Sequence, residues 1–292
     1  MAEPLIVACV QMRSGTDQDA NIGTMRDFVR EAAGKGASYV QTPEMTGLVQ
    51  RGRKDLFAAI SPDDRNPVFG AASQLARELG IWLHVGSTAV KLDGDRAANR
   101  AALFSPKGNR VAIYDKIHMF DVDLDNGESW RESSVYAPGD EALVAAAGRV
   151  MIGLAICYDL RFPALFRTQA QAGAQILTVP SCFTRQTGRA HWHALLRSRA
   201  IENGAFVVAA AQGGKHDDGR ESFGHSLIAD PWGKVVAELD HDEPGVLVHE
   251  LDPGEVKAAR SKIQSLRHDR HFDLVTVSGE DAFAGKLHGA VA

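Results

Sequence analysis

The chain has 292 residues, with 32 Lys and Arg against 37 Asp and Glu, giving a net charge of −5. That balance argues against a nucleic-acid or membrane-surface role, because either needs a basic face. Hydrophobic residues at 45% and charged residues at 24% match an ordinary globular protein, and no apolar run approaches the length of a membrane span. Met1-Ala2-Glu3-Pro4 lacks the basic start of a signal peptide. Cys9, Cys157 and Cys182 form neither a disulfide framework nor a zinc-type pair, so a cytoplasmic location is expected.

In chain order, Leu5–Met12 reads as a buried strand and Asn21–Gly34 as a helix with Met25, Phe28 and Val29 on one face. Ala37–Thr42 is the next strand, running into Pro43-Glu44. Asn66–Leu79 reads as a helix and Ile81–Val90 as a strand. Arg100–Ser105 and Arg110–Tyr114 flank the turn Pro106-Lys107-Gly108-Asn109, a hairpin pattern. The polar, acid-rich stretch Asp121–Glu141 is expected to be a long loop, of the kind that is usually functional.

Ala142–Ala147 and Val150–Ile156 form a second hairpin, followed by a helix over Pro163–Ala172. Strand Gln175–Pro180, helix His191–Asn203 and strand Phe206–Ala211 come next. Ser226–Asp230 and Lys234–Leu239 pair around Pro231-Trp232-Gly233, Val246–Leu251 closes the strands, and Pro253–Ser265 is a last helix. Hairpins interleaved with helices predict an α/β fold of two mixed sheets packed face to face with helices outside both. One domain over residues 1–275 is expected, with a Gly- and Ala-rich C-terminal tail over 276–292.

Three residues stand just past strand ends: Glu44, Lys116 and Cys157. The apolar run Val150–Ile156 delivers Cys157 to the carboxyl edge of a sheet, where open α/β folds place ligands. The helix starting near Pro163 is expected to aim N–H groups and its positive end at the sulfur, favouring thiolate. Singly, each residue has a plain explanation: a helix-start carboxylate, an exposed cation, a core thiol. Strand ends on one edge converge, however, and together the three suit acyl transfer: a sulfur nucleophile, a carboxylate that moves protons and an ammonium for the oxyanion.

The segments Gln41-Thr42-Pro43-Glu44, Tyr114-Asp115-Lys116-Ile117-His118 and Gly153-Leu154-Ala155-Ile156-Cys157-Tyr158-Asp159-Leu160-Arg161-Phe162-Pro163 resemble the three motifs of the nitrilase superfamily of carbon–nitrogen hydrolases. The resemblance covers residues 4–275. It implies an αββα sandwich, no cofactor, and a homodimer joined through the face bearing the cysteine helix. It further implies Cys157 as nucleophile, Glu44 as general base, and Lys116 with the Tyr158 amide as oxyanion stabilisers. Glu132 matches a second glutamate that orients Lys116 and substrate; otherwise it is a solvated loop acid.

Gly188-Arg189-Ala190-His191-Trp192, Arg199-Ala200-Ile201-Glu202, Ala209-Ala210-Ala211-Gln212-Gly213-Gly214-Lys215-His216 and Phe223-Gly224-His225-Ser226 are similar to the Nit subgroup, and most to its deaminated glutathione amidases. The implied reaction is cleavage of the terminal carboxamide of a small anionic ω-amide with release of ammonia. An ω-amidase acting on α-ketoglutaramate, or N-carbamoyl or nitrile hydrolysis, is the alternative. An anionic substrate needs a cation besides Lys116, and Arg161 is expected to bind its carboxylate. Phe183 and Thr187 match lining positions.

Cys182 and His193 depart from the pattern, at positions expected to flank the pocket, and Cys182 is a candidate for an oxidative link to Cys157. A metal site at His191, His193 and His225 is disfavoured, because residues two apart on a helix diverge. No base is signalled beside the thiol as in a papain-like protease. A non-catalytic scaffold predicts a broken Glu–Lys–Cys set, yet all three residues are present. No Gly-rich phosphate or dinucleotide loop follows a strand.

Overall fold

Six apolar or small residues followed by Gln11 give β1 (Leu5–Gln11), buried on both faces as a strand between helical and sheet layers must be. The computed structural model describes residues 5–276 apart from 126 and 128. After β1 come α1 (Gln18–Gly34), β2 (Tyr39–Gln41), α2 (Arg53–Ala59), α3 (Pro67–Leu79), β3 (Trp82–Lys91), β4 (Ala97–Phe104) and β5 (Arg110–Asp115). Asp17 caps α1 by accepting from the Asp19 and Ala20 amides. Asn66 caps α3 in the same way, with Pro67 in its first turn and Gly80 left-handed at its end, the usual chemistry of helix starts and stops.

A short ribbon of β6 (Asp121–Asp123) and β7 (Ser129–Arg131) precedes β8 (Leu143–Ala147), β9 (Val150–Leu154), α4 (Pro163–Gln171), β10 (Ile176–Thr178), α5 (Arg185–Asn203) and β11 (Phe206–Ala209). The chain ends in a second ribbon, β12 (Gly213–Lys215) and β13 (Glu221–Phe223), then β14 (Leu227–Ala229), β15 (Val235–Glu238), β16 (Gly245–Leu251) and α6 (Gly254–Lys262). The strands form two six-stranded sheets, in the orders β16-β1-β2-β3-β4-β5 and β15-β14-β11-β10-β9-β8. Both are mixed: β1-β2-β3 and β9-β10-β11 run parallel and the outer strands antiparallel.

The inner faces share one core, where Val7, Cys9, Tyr39, Leu103 and Tyr114 of the first sheet meet Ile152, Leu154, Ile176 and Val208 of the second. On the outer side, Met25, Val29 and Leu75 of α1 and α3 cover Ala8, Val10, Val40 and Leu83, while α4 and α5 pack on β9, β10 and β11. The molecule is therefore the four-layer αββα sandwich the hairpin-and-helix order predicts.

Several elements differ from the sequence reading. The stretch Asp121–Glu141, expected as a long loop, contains the β6–β7 ribbon and a 3₁₀ turn at Glu132–Ser134. Helix α2 and the β12–β13 ribbon are too short to leave a periodic signal. Helix α5 begins at Arg185 rather than His191, because Gly188 masks its first turns. A Cβ there would lie 2.3 Å from the Phe223 ring, so the glycine serves close packing rather than helix ending. The last helix stops at Lys262, followed by a 3₁₀ turn at Ser265–Arg267. The predicted tail, from residue 277 onward, lies outside the described residues.

Two features join the sheets at the edge that carries the site. Gly86 in β3 lets the loops after β2 and β10 close in: a Cβ would meet the Thr42 carbonyl at 2.0 Å and Pro180 at 2.4 Å. Buried Asp159 ties the turn after β9 to the end of β5. Its Oδ2 accepts from the Tyr114 hydroxyl at 2.7 Å and the Ile156 amide at 2.9 Å, and its Oδ1 from the His118 amide at 3.0 Å, with His118 Nδ1 at 2.7 Å. Asp159→Ala strands several buried donors at once, so it is expected to lower unfolding stability by about 3–5 kcal/mol. Urea denaturation checks this; a loss within about 0.5 kcal/mol, typical of a surface change, contradicts the brace.

Candidate active site

Four strand ends meet at one edge of the sandwich. Glu44 follows β2 in a loop pinned to β3 by the Met45 amide on Ser87 Oγ at 3.0 Å and the Thr46 amide on the Ser87 carbonyl at 2.8 Å. Gln212, between β11 and β12, braces this loop by donating to the Glu44 and Met45 carbonyls at 3.1 and 3.3 Å. Lys116 follows β5, Cys157 follows β9, and Cys182 lies past the end of β10. The Cys157 amide donates to the Pro180 carbonyl at 3.0 Å. Met45 and Cys157 both have positive φ, 56° and 48°. Non-glycine residues in this region are strained and cluster at functional sites.

The structure brings Glu44, Lys116, Glu132 and Cys157 together. Lys116 Nζ lies 2.9 Å from Glu44 Oε1 and 2.8 Å from Glu132 Oε2, with the three side chains 2%, 4% and 11% exposed. Asn99 Nδ2 bridges the same two carboxylates, 2.9 Å from Glu44 and 3.1 Å from Glu132. Backbone amides complete the set: Cys182 N–H on Glu44 Oε2 at 2.8 Å and Phe120 N–H on Glu132 Oε2 at 2.7 Å. The Cys157 thiol lines the same cavity as Glu44, and each group shifts the titration of the other. Glu132 is therefore a lysine partner and not a solvated loop acid.

The charges fix where protons reside. Burial pushes the Glu44 carboxyl up, but the Lys116 ammonium and the hydrogen bonds from Lys116, Cys157 and Asn99 outweigh it, leaving the group below its ordinary 4.5. Burial pulls Lys116 down, and the Glu132 and Glu44 carboxylates more than reverse this. Burial and then the Glu44 charge push the Cys157 thiol well above 9.0, with Lys116 opposing. The resting state is carboxylate, ammonium and neutral thiol.

That corrects the expectation of a thiolate. A 3₁₀ turn over Cys157–Arg161 separates the cysteine from α4, and desolvation beside a carboxylate governs the sulfur.

A cavity of about 290 Å³ opens on these groups, and Tyr158, Phe183 and Thr187 line it with Glu44, Lys116, Glu132 and Cys157. Arg161 does not. Its guanidinium lies 5.7 and 5.8 Å from the Tyr158 and Phe183 ring centroids and 3.4 Å from His191 Nδ1, behind the aromatic wall. The cations that line the cavity besides Lys116 are Arg51, Arg131 and Arg220.

Cys182 is a cavity residue, with Sγ 3.2 Å from Ser222 Oγ, and all three cysteines are free. His193 is not in the cavity wall; it pairs with Glu238 at 2.6 Å. His191 and His193 thus point to different partners, and among the described residues no three His, Cys, Asp or Glu side chains are grouped as metal ligands.

Sequence reasoning passed over Asn99, Asp159 and Arg220. Asn99 carried a usable signal, an amide in the alanine-rich run Ala97-Ala98-Asn99-Arg100-Ala101-Ala102. Asp159 sat within a quoted motif. Arg220, beyond the turn Asp217-Asp218-Gly219, carried none.

Comparison with known proteins agrees with this geometry. The carbon-nitrogen hydrolase family model matches residues 6–261. Deaminated glutathione amidase of Mus musculus is 39% identical over 274 residues, covering 91% of this chain and 83% of the mouse protein. The C. elegans NitFhit structure superposes with a TM-score of 0.84 at 33% identity, covering 91% of this chain and 65% of that one. Saccharomyces cerevisiae Nit3, a member of the nitrilase superfamily, gives 0.83 at 26% identity, covering 93% and 98%. The protein belongs to the carbon–nitrogen hydrolase family of the nitrilase superfamily, whose members are hydrolases of non-peptide carbon–nitrogen bonds.

Proposed function

We propose that the protein is a thiol amidohydrolase that cleaves a small anionic ω-amide of the deaminated glutathione type through a thioester on Cys157. The observation that carries the reading is a Cys157 thiol lining the same cavity as a buried carboxylate, Glu44, that is itself paired with Lys116 at 2.9 Å. The relatives named deaminated glutathione amidase support the substrate class.

In this reading the sulfur attacks the amide carbon as Glu44 takes its proton, the negative charge passing to the carbonyl oxygen. Lys116 Nζ and the Tyr158 N–H hold that oxygen, and Glu132 and Asn99 keep Lys116 in position. Glu44 returns the proton to the amide nitrogen, the C–N bond breaks, and the acyl group remains as a thioester. A water deprotonated by Glu44 then cleaves the thioester and restores the thiol.

Ammonia leaves where the substrate ends in a carboxamide. In deaminated glutathione the amide nitrogen belongs to cysteinylglycine, so the same step releases the dipeptide. That widens the leaving group beyond the ammonia expected from sequence.

A homodimer fits the exposed apolar residues Ile201, Trp232 and Ile263 near α5 and α6. The three free cysteines suit a cytoplasmic setting.

Cys157→Ala is expected to lower product release at least about 10³-fold, as loss of a covalent nucleophile does, with a melting temperature close to wild type. Ammonia and dipeptide assays on deaminated glutathione and α-ketoglutaramate check this, and wild-type rates in the variant end the proposal.

The pH profile provides a second check. A carboxylate held below 4.5 and a thiol held above 9.0 leave both groups in working form across the neutral range. kcat/KM is then expected to be level from about pH 6 to 8.5, falling only outside it. An inflection near neutrality would show the thiol titrating below its ordinary value, contrary to this arrangement.

A further inference from the structure

The cavity wall holds a second thiol, Cys182, that the reaction above does not use. Its Sγ lies 3.2 Å from Ser222 Oγ in β13, and Ser222 Oγ lies 2.8 Å from His216 Nε2. On the other side of the ring, His216 Nδ1 is 2.8 Å from the Ser14 carbonyl oxygen. All four residues are buried.

These contacts have a direction. A carbonyl oxygen can only accept, so Nδ1 carries the ring proton and Nε2 of the neutral imidazole is an acceptor. Nε2 then takes the Ser222 hydroxyl hydrogen, which leaves Ser222 Oγ to accept from the Cys182 thiol. The three side chains form a relay that carries the thiol proton to His216 and leaves a thiolate facing an imidazolium. Arg220 stands beside the same sulfur, with Nη1 3.8 Å from Sγ, and adds a fixed positive charge.

Surroundings of opposite sign separate the three cysteines. Cys9 lies in the core between the sheets, where burial pushes its thiol up to about 12. Cys157 faces Glu44 and stays protonated. Burial pushes Cys182 up too, and so does Glu44, which accepts its backbone N–H, but His216 and Arg220 outweigh both and hold the thiol below 9.0. Burial pulls His216 down, and Cys182 with the Ser14 carbonyl more than reverses this. Thiolate is the form that peroxides oxidise. The resting cavity therefore presents Cys182 to an oxidant, and not the nucleophile of the amide reaction.

We propose that Cys182 is an oxidation site of the cavity, converted by small peroxides to a sulfenic acid ahead of Cys157, with loss of turnover. The sulfur attacks one peroxide oxygen and the O–O bond breaks, so that sulfur is oxidised and the peroxide reduced. The departing hydroxide takes the proton held on His216, through Ser222, and leaves as water. The oxygen added at Cys182 stands in the cavity wall at the residue whose backbone N–H holds Glu44, and it obstructs the acyl site. A thiol reductant reverses the change: one thiol displaces water to give a mixed disulfide with Cys182, and a second releases the cysteine.

The test treats the wild-type protein at neutral pH with hydrogen peroxide and dimedone, which traps sulfenic acids, and locates the adducts by peptide mass mapping. Cys182 is expected to be labelled at least about tenfold faster than Cys157, because an ordinary thiol is only a few per cent ionised there. Ser222→Ala cuts the relay and is expected to slow Cys182 labelling by a similar factor, in protein shown by its melting temperature to be folded. Without dimedone, peroxide inactivation is expected to be reversed by dithiothreitol. In Cys182→Ala it is expected to run about tenfold slower, relative to that variant's own untreated rate.

Labelling of Cys157 first, no adduct on Cys182, unaltered labelling in Ser222→Ala, or inactivation of Cys182→Ala at the wild-type rate each overturns the proposal. The mapping needs no substrate, so its result is separate from the amidase reading.

Discussion

A single buried ammonium shared by two carboxylates organises the site. Lys116 Nζ stands within 2.9 Å of both Glu44 and Glu132, three charges nearly removed from water. Such a cluster is costly unless its geometry is good and its remaining lone pairs are met. They are met from separate parts of the chain: Asn99 in β4, the Phe120 amide before the β6–β7 ribbon and the Cys182 amide beyond β10. The demand for simultaneous partners explains why the edge of the sandwich is braced so heavily. Asp159 joins the Lys116 and Cys157 strands, Gln212 carries the Glu44 loop, and Gly86 admits both loops to one place.

The cluster also decides which atom holds the mobile proton. Two carboxylates against one ammonium leave a net negative charge around the sulfur, so ionising Cys157 would add a third anion in a low-dielectric pocket. The thiol stays neutral, and Glu44 stays ionised because Lys116 faces it. The proposed base and nucleophile therefore line one cavity without having exchanged the proton. The transfer becomes favourable when negative charge moves from sulfur to a carbonyl oxygen that Lys116 can reach. In this arrangement the ammonium stabilises the product of attack more than the resting thiol, which is what acceleration of the step requires.

Much of this was legible because strand ends are legible. Long apolar runs that stop abruptly locate β1, β2 and β9, and sheet geometry then predicts that Glu44, Lys116 and Cys157 converge. What sequence could not carry was orientation across short irregular segments. Arg161 lies in a motif beside the cysteine, yet the 3₁₀ turn sends its guanidinium behind Tyr158 and Phe183. Arg220 sits in a ribbon with no periodic signal and reaches the cavity. The thiolate expectation failed for a related reason: it assumed a helix start at the sulfur, whereas the local field is set by groups distant in sequence.

Charge in the cavity is uneven, and the unevenness constrains how a substrate enters. Beside Cys157 the cavity carries two carboxylates against one ammonium, while elsewhere its wall carries Arg220 and the exposed Arg51, both against Trp130. A molecule with a neutral amide at one end and a carboxylate at the other is drawn in amide first. In the reversed pose its anion would face Glu44 and Glu132 at short range in a desolvated space, with Lys116 already engaged. A neutral amide would have no such preference and would depend on the apolar walls alone. The polarity that keeps the Cys157 thiol protonated thus also sorts substrates, because both effects follow from an excess of negative charge beside it.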